Sequence, residues 1–240
     1  MPTNAVDLIQ VWVPDAPGLE AILARHPHVS AISVHEQGSL CFGRENPSRC
    51  VRPGFGPGIR GLIEIIDNNP LVCTDEAWVP VGADTCALIA LSPLALTGLI
   101  AAAPALVSTS EFTSDLPLWL TDIGIDDPVA VQIEPMDLGT VVAVTALVAV
   151  RQELSVDQLR DMYAERYEGS FFVHEARDSW DTSLVAGTAS AYYDLSVTPG
   201  DGDCLVKIRV IADANGKCGA AALIHMMNVM CGFEESLGVS

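Results

Sequence analysis

Lysine is almost missing from this chain: only Lys207 and Lys217 stand among twelve basic residues, against 31 acidic ones. The resulting net charge of −19 repels nucleic-acid phosphates and anionic membrane surfaces, so neither is an expected partner. No stretch reaches the roughly 18 uninterrupted apolar residues of a membrane-spanning helix. The opening M-P-T-N-A-V-D lacks the basic and apolar regions of a signal peptide, so a cytoplasmic protein is the default expectation. The seven cysteines are scattered and contain no C-x-x-C pair, which predicts reduced thiols rather than a disulfide framework or a zinc knuckle. What is abundant is apolar side chain: half of the 240 residues are hydrophobic, enough for one large domain or two small ones.

The periodicities predict an α/β chain. V-D-L-I-Q-V-W-V (Val6–Val13) alternates as a strand, Pro17–Ala24 reads as a helix, and Ser30–His35 as a second strand. Such a β-α-β opening implies a parallel pair with a right-handed crossover. Between the first strand and helix stands V-P-D-A-P-G, with one glycine and two prolines. That turn offers neither the amides nor the clearance that a dinucleotide pyrophosphate needs. Residues 36–61, rich in Gly, Pro and Arg, read as loop, and Leu62–Ile66 as a short strand before a D-N-N-P turn. Asp84–Ile100 reads as a helix capped by Asp84 and kinked or ended by Pro93. Strands are predicted at Val129–Ile133, Gly139–Val150, Phe171–Val173, Val185–Val197 and Leu205–Ile211. Ser155–Tyr167 reads as an amphipathic helix with Val156, Leu159, Met162, Tyr163 and Tyr167 inward.

The closing D-A-N-G-K-C-G-A-A-A-L-I-H-M-M-N-V-M-C-G draws the most attention. Ala221, Ile224, Met227 and Met230 recur at helical spacing, and Gly232 stands where a helix ends, so Gly219–Cys231 reads as a buried helix. Lys217, Cys218 and Gly219 precede its start, where free amides and small residues suit an anion. Cys86 falls in the first turn of its helix, where the dipole favours a thiolate, although its apolar neighbours suit a structural cysteine. Arg44, Arg49, Arg52 and Arg60 are a third of all basic residues and suit an anion clamp, an acidic partner or internal carboxylates. His174, Glu175, Asp178 and Asp181 gather metal-ligand types without a recognised spacing, so no metal is expected there.

Several of these stretches line up in order with one family. They are L-A-R-H-P-H-V, L-I-A-L-S-P-L-A-L-T-G-L-I, Q-I-E-P-M-D-L-G-T-V, L-S-V-D-Q-L-R-D-M-Y with S-F-F-V and V-A-G-T, and D-A-N-G-K-C-G with M-N-V-M-C-G. Together they resemble N-acetyl-gamma-glutamyl-phosphate reductase, an NADP-dependent enzyme of the semialdehyde dehydrogenase type. The resemblance implies a reduced Rossmann-like parallel sheet over residues 1–84. It also implies an α+β substrate and dimerisation part with a largely antiparallel sheet over 85–240, the last helix being placed to pack back on the first part. It makes Asp213–Gly232 a pocket-lining segment that retains Lys217 and Asn228. It also marks departures. V-P-D-A-P-G replaces the glycine-rich nucleotide loop, Gly82 in V-P-V-G stands where the catalytic thiol belongs, Gln132 takes the place of the base, and Ala222 and His225 replace two glutamines.

Hydride transfer through a thioester needs thiol, base and bound cofactor together. The expectation is therefore a non-redox metabolic enzyme without a cofactor, acting on a small anionic carboxylate or amino-acid-derived compound. Cys86, Asp84, Gln132 and His225 are its candidate catalytic residues, and Lys217, Cys218, Gly219 and Asn228 its candidate binding residues. The alternatives are a catalytically inactive subunit that partners a pathway enzyme, a module holding a small anion at Lys217, and a retained acyl-phosphate reductase. A homo-oligomer built through the second-half sheet is expected in each case.

Overall fold

A computed structural model describes residues 8–14, 18–35, 38–66, 68–176 and 180–239. The expected strand start at Val6, the Asp15–Pro17 part of the loop before the first helix, and Asp178 lie outside these residues.

The β-α-β opening is present as Ile9–Val13 (β1), Leu19–Leu23 (α1) and Val29–Val34 (β2), with β1 and β2 parallel. Residues 38–61 differ from the expected loop. They form Leu40–Gly43 (β3), Arg49–Pro53 (β4) and Ile59–Arg60 (β5), because Leu40, Phe42 and Val51 alternate inward on short strands between Gly and Pro turns. Cys41 and Cys50 face each other across β3 and β4 and form a disulfide, which corrects the expectation that all seven thiols are reduced. Strand pairing brought together two cysteines whose separation matches no motif. Leu62–Ile66 is likewise not a strand: the amides of Ile65 and Ile66 both bond the Leu62 carbonyl at 3.0 Å, closing a helical turn. Of the expected D-N-N-P turn, Asp67 lies outside the described residues and Asn68–Pro70 open Asn68–Cys73 (α2), followed by Glu76–Val79 (β6). The first sheet has the order β2-β1-β3-β4-β6-β5, with parallel pairs at both edges and antiparallel pairs at its centre.

The second half contains Ala83–Thr97 (α3), Ala105–Ser108 (β7), Leu116–Asp122 (α4), Ala130–Ile133 (β8), Val141–Val150 (β9) and Val156–Tyr167 (α5). Val173–Glu175 (β10), Ala191–Pro199 (β11), Cys204–Asp213 (β12) and Ala220–Cys231 (α6) complete it. Its sheet order is β10-β11-β12-β9-β7-β8, and only the two edge pairs are parallel. The long β-branched β9 lies in the middle of the sheet, between β12 and β7, as its composition suggests. The fold is thus α/β with two mixed six-stranded sheets, consistent with a Rossmann-like part followed by a semialdehyde-dehydrogenase-type part.

Helix α3 is buried from Ala83 to Leu94 and lies against β9, β11 and β12. Gly82, not Asp84, precedes it, and Asp84 sits in its first turn. Pro93 neither ends nor breaks the helix. It cannot donate to the Ile89 carbonyl one turn back, and Tyr167 on α5 donates there instead, at 2.9 Å. Ser155 and Gln158 form a reciprocal capping box at the start of α5. That helix buries Leu159, Tyr163 and Tyr167, while Val156 and Met162 are half-buried.

Helix α6 begins after Gly219 and stops at Gly232, whose φ of 70° is the left-handed turn that glycine accepts. It is buried from Ala221 to Met230 and packs on the first sheet beside α1 and α2. No helix among the described residues is long and apolar enough to cross a membrane.

Candidate functional site

The two helical layers meet where the turn before α6 touches the start of α3. The turn is organised by Asp213, whose carboxylate accepts from the amides of Gly187 (2.9 Å), Asn215 (2.8 Å) and Gly216 (3.0 Å) and from Thr140 Oγ1 (2.5 Å). Burial works against its charge, but these donors outweigh it and hold the carboxyl below its usual range. The small residues of the turn admit protein backbone. A Cβ on Gly216 would lie 1.9 Å from the Thr188 carbonyl oxygen, and one on Gly219 2.3 Å from that of Ala214. The amides of Ala221, Ala222 and Leu223 bond the carbonyls of Asn215, Gly216 and Gly219.

Cys86 and Cys218 are brought together at this junction, sulfur to sulfur at 3.5 Å, and the Gly82 amide donates to the Cys218 carbonyl at 2.8 Å. Both thiols are buried. The neighbouring sulfur and the burial push the Cys86 thiol well above its ordinary pKa, so the helix dipole does not make it a thiolate. Its hydrogen-bond partner is Cys218, while His225 bonds Glu235. Asp84 accepts from the Thr113 amide (3.0 Å) and hydroxyl (2.5 Å), and burial raises its pKa despite them. Gln132 is exposed on β8 and bonded to Glu134 at 2.6 Å.

A second cluster forms around Lys217. Its ammonium lies 2.6 Å from Glu64 Oε1, with both side chains only 3% exposed, and 5.6 Å from the centre of the Phe172 ring. Ser170 Oγ donates to the same Glu64 oxygen at 3.1 Å. Burial alone would raise the Glu64 pKa, but the Lys217 charge, that of His225 when its ring is protonated, and the lysine hydrogen bond bring it below the usual value. His225 Nε2 lies 2.8 Å from Glu235 Oε2, and its ring meets Phe172 edge-on at 4.7 Å. Burial lowers the His225 pKa, outweighing the bond to Glu235. Glu64 and Glu235 line a cleft of about 410 Å³ with Arg166 and Ser170.

Asn228 takes a structural part. Its Nδ2 donates to the carbonyls of Glu235 (3.1 Å) and Leu237 (2.9 Å), and its Oδ1 meets His26 Nε2 at 2.9 Å. Glu64, Glu235, Arg166 and Ser170 were not singled out by motif. The available signal was the lone carboxylate of L-I-E-I-I, since a charge inside an apolar run is buried only with a partner.

The arginine-rich stretch mostly serves the fold. Arg49 donates to carbonyls at the ends of α2 and α6, among them Leu71 (2.9 Å), Thr74 (2.8 Å) and Met230 (2.5 Å). Arg52 pairs with Glu76, and Arg60 with Asp122 at 2.5 Å. In the 174–181 stretch Glu175 pairs with Arg160 at 2.7 Å, and Asp181 accepts from the Ser183 amide at 2.8 Å.

No family model matches the chain. An N-acetyl-gamma-glutamyl-phosphate reductase of Archaeoglobus fulgidus is 33% identical over 129 residues, 54% of this chain and 36% of that protein. Reductases of the same name from Bacillus cereus and Bacillus anthracis are 26% and 28% identical over 98 residues, 41% of this chain and 28% of theirs. The chain spans about a third of the length of the curated relatives it matches. By these partial matches, the protein is similar to N-acetyl-gamma-glutamyl-phosphate reductases.

Proposed function

We propose that this protein is a non-redox relative of the reductases of amino-acid biosynthesis, using its cleft for a small carboxylate or amino-acid-derived compound. The observation that carries this reading is the gathering beside one cleft of Glu64, from the first half, with Lys217, His225 and Glu235 of the closing segment. Glu64 and His225 are perturbed by burial and by specific charged partners, and such groups beside a concave site mark a candidate functional centre. With Nε2 donating to Glu235, the neutral His225 ring keeps Nδ1 as a basic nitrogen, the form a general base requires.

Loss of the reductase reaction is supported by three features. Gly82, in the place of the thiol, has φ 60° and ψ −140°; the space around it is open, but a side chain there would be strained. Gln132, in the place of the base, is exposed and bonded to Glu134. The β1–α1 connection offers one glycine and two prolines before a five-residue helix, which does not fit a pyrophosphate cradle. Titration of the protein with NADPH, followed by nucleotide fluorescence, is expected to show no saturable signal. Tight binding together with reduction of an acyl phosphate would overturn the reading.

A second reading is a catalytically inactive subunit of a homo-oligomer or of a complex with a pathway enzyme. The edge strand β8 favours it, since Val131 and Ile133 on that strand and Met136 just beyond are exposed. Sedimentation of the purified protein and co-purification from the native source test it; a monomer that comes out alone would count against it.

A further inference from the structure

The two oxygens of Glu64 are treated differently. Oε1 receives both Lys217 Nζ and Ser170 Oγ, whereas Oε2 is buried and has no hydrogen-bond partner. An ionised carboxylate oxygen can only accept, and leaving one buried without a donor is costly. A second orphan lies in the same cluster. Glu235 can only accept from His225 Nε2, so Nε2 carries the proton, and in the neutral ring Nδ1 is a bare acceptor, also without a partner. Both unsatisfied atoms therefore call for a donor, not for the anion that the neighbourhood of Lys217 suggests on sequence. The Lys217 charge is already matched by Glu64.

The cleft wall adds polarity. Glu64 is its buried member, Glu235 a half-exposed one, and Arg166 is exposed in the last turn of α5. A buried carboxylate thus lies at one part of the wall and an exposed guanidinium at another, with Lys217 behind Glu64. A guanidinium is suited to bidentate contact with a carboxylate.

We propose that this cleft recognises a small zwitterion, a free amino acid or a close analogue, with its ammonium on Glu64 Oε2 and its carboxylate on Arg166. The proposal rests on the small-molecule reading above and narrows its ligand to compounds with an unblocked amine.

Calorimetric titration of the full chain at pH 7 with the twenty common L-amino acids and their N-acetyl derivatives tests it. At least one free amino acid is expected to bind saturably, with affinity reduced tenfold or more by N-acetylation and by Arg166→Gln. Replacing Glu64 alone strands Lys217, so the inner contact is tested in the double variant Glu64→Gln/Lys217→Met, checked for folding by its thermal transition. That variant is expected to lose the preference for the free amine. An N-acetyl derivative that binds as tightly as its parent overturns the zwitterion and leaves the small-carboxylate reading standing. Silence from every compound overturns both.

Discussion

Lys217 and Glu64 stand 153 residues apart in sequence and form a salt bridge of 2.6 Å with both side chains nearly inaccessible to water. Removing one partner leaves the other charged and buried, which is far more costly than removing both. Glu64→Ala is expected to lower the unfolding free energy by about 3–5 kcal/mol, measured by urea denaturation. Glu64→Leu/Lys217→Met is expected to recover most of that loss. Equal losses in the single and double variants would show that the charges do not depend on each other.

Acid should act on the fold in two stages. His26 and His225 have pKa values lowered chiefly by burial, so the unfolded chain takes up their protons first, and stability falls as pH drops below about 6.5. In His26 the proton would also displace the His28 amide from Nδ1, where it now bonds at 3.2 Å. Glu64 and Asp213 have lowered carboxyl pKa values, and their contribution is lost on further acidification below the ordinary carboxylate range of about 4. Asp84 works the other way, because its raised pKa favours the folded state on acidification. Melting temperature measured from pH 8 to pH 3 is expected to fall in both windows. His225→Gln should flatten the upper one.

Thiol reactivity should sort by access. Cys73 is exposed, Cys231 is half-buried with its pKa pushed up to about 11, and Cys86 and Cys218 are buried against each other. Iodoacetamide at neutral pH, read by peptide mass spectrometry, is expected to label Cys73 first and Cys86 and Cys218 only on unfolding. Rapid labelling of Cys86 in the native protein would restore it as a candidate nucleophile.

The Tyr167 hydroxyl exists to serve one carbonyl. Tyr167→Phe leaves the Ile89 oxygen without a donor inside a buried helix and is expected to cost about 1–3 kcal/mol. In a Pro93→Ala background the backbone amide regained at that position can take the same carbonyl, and the cost of Tyr167→Phe should shrink. A double-mutant cycle by thermal denaturation measures the difference. An unchanged cost would separate the tyrosine from the proline.

Much of the second half was legible because its elements are long. The β-branched run of β9, the Ser155 cap of α5 and the Gly232 stop of α6 each combine a period with a terminus signal. The first half was harder. Strands β3 to β5 are two to five residues long, and their glycines and prolines resemble loop until the partner strand is known. Cys41 and Cys50 became legible only once the β3–β4 register placed them opposite. At the site, Lys217 and His225 could be singled out from the closing segment, but their partners could not. Glu64 lies in a turn that reads as a strand and is selected only by its long-range contact with Lys217, and Glu235 only by the chain after α6 folding back on His225.

The Asn228 carboxamide holds the backbone of 235–237 with one end and His26 with the other, and Gly238 lies so close to His26 that a Cβ would be 2.5 Å from its ring. The last described segment and the loop after α1 are therefore both fastened to Asn228 on α6. Fraying of that segment would carry Glu235 away from His225 and release the edge of the first sheet in the same event. A molecule settling against Glu235 would be felt at His26, and the loop after α1 and residues 235–239 would exchange their amide hydrogens as one cooperative unit.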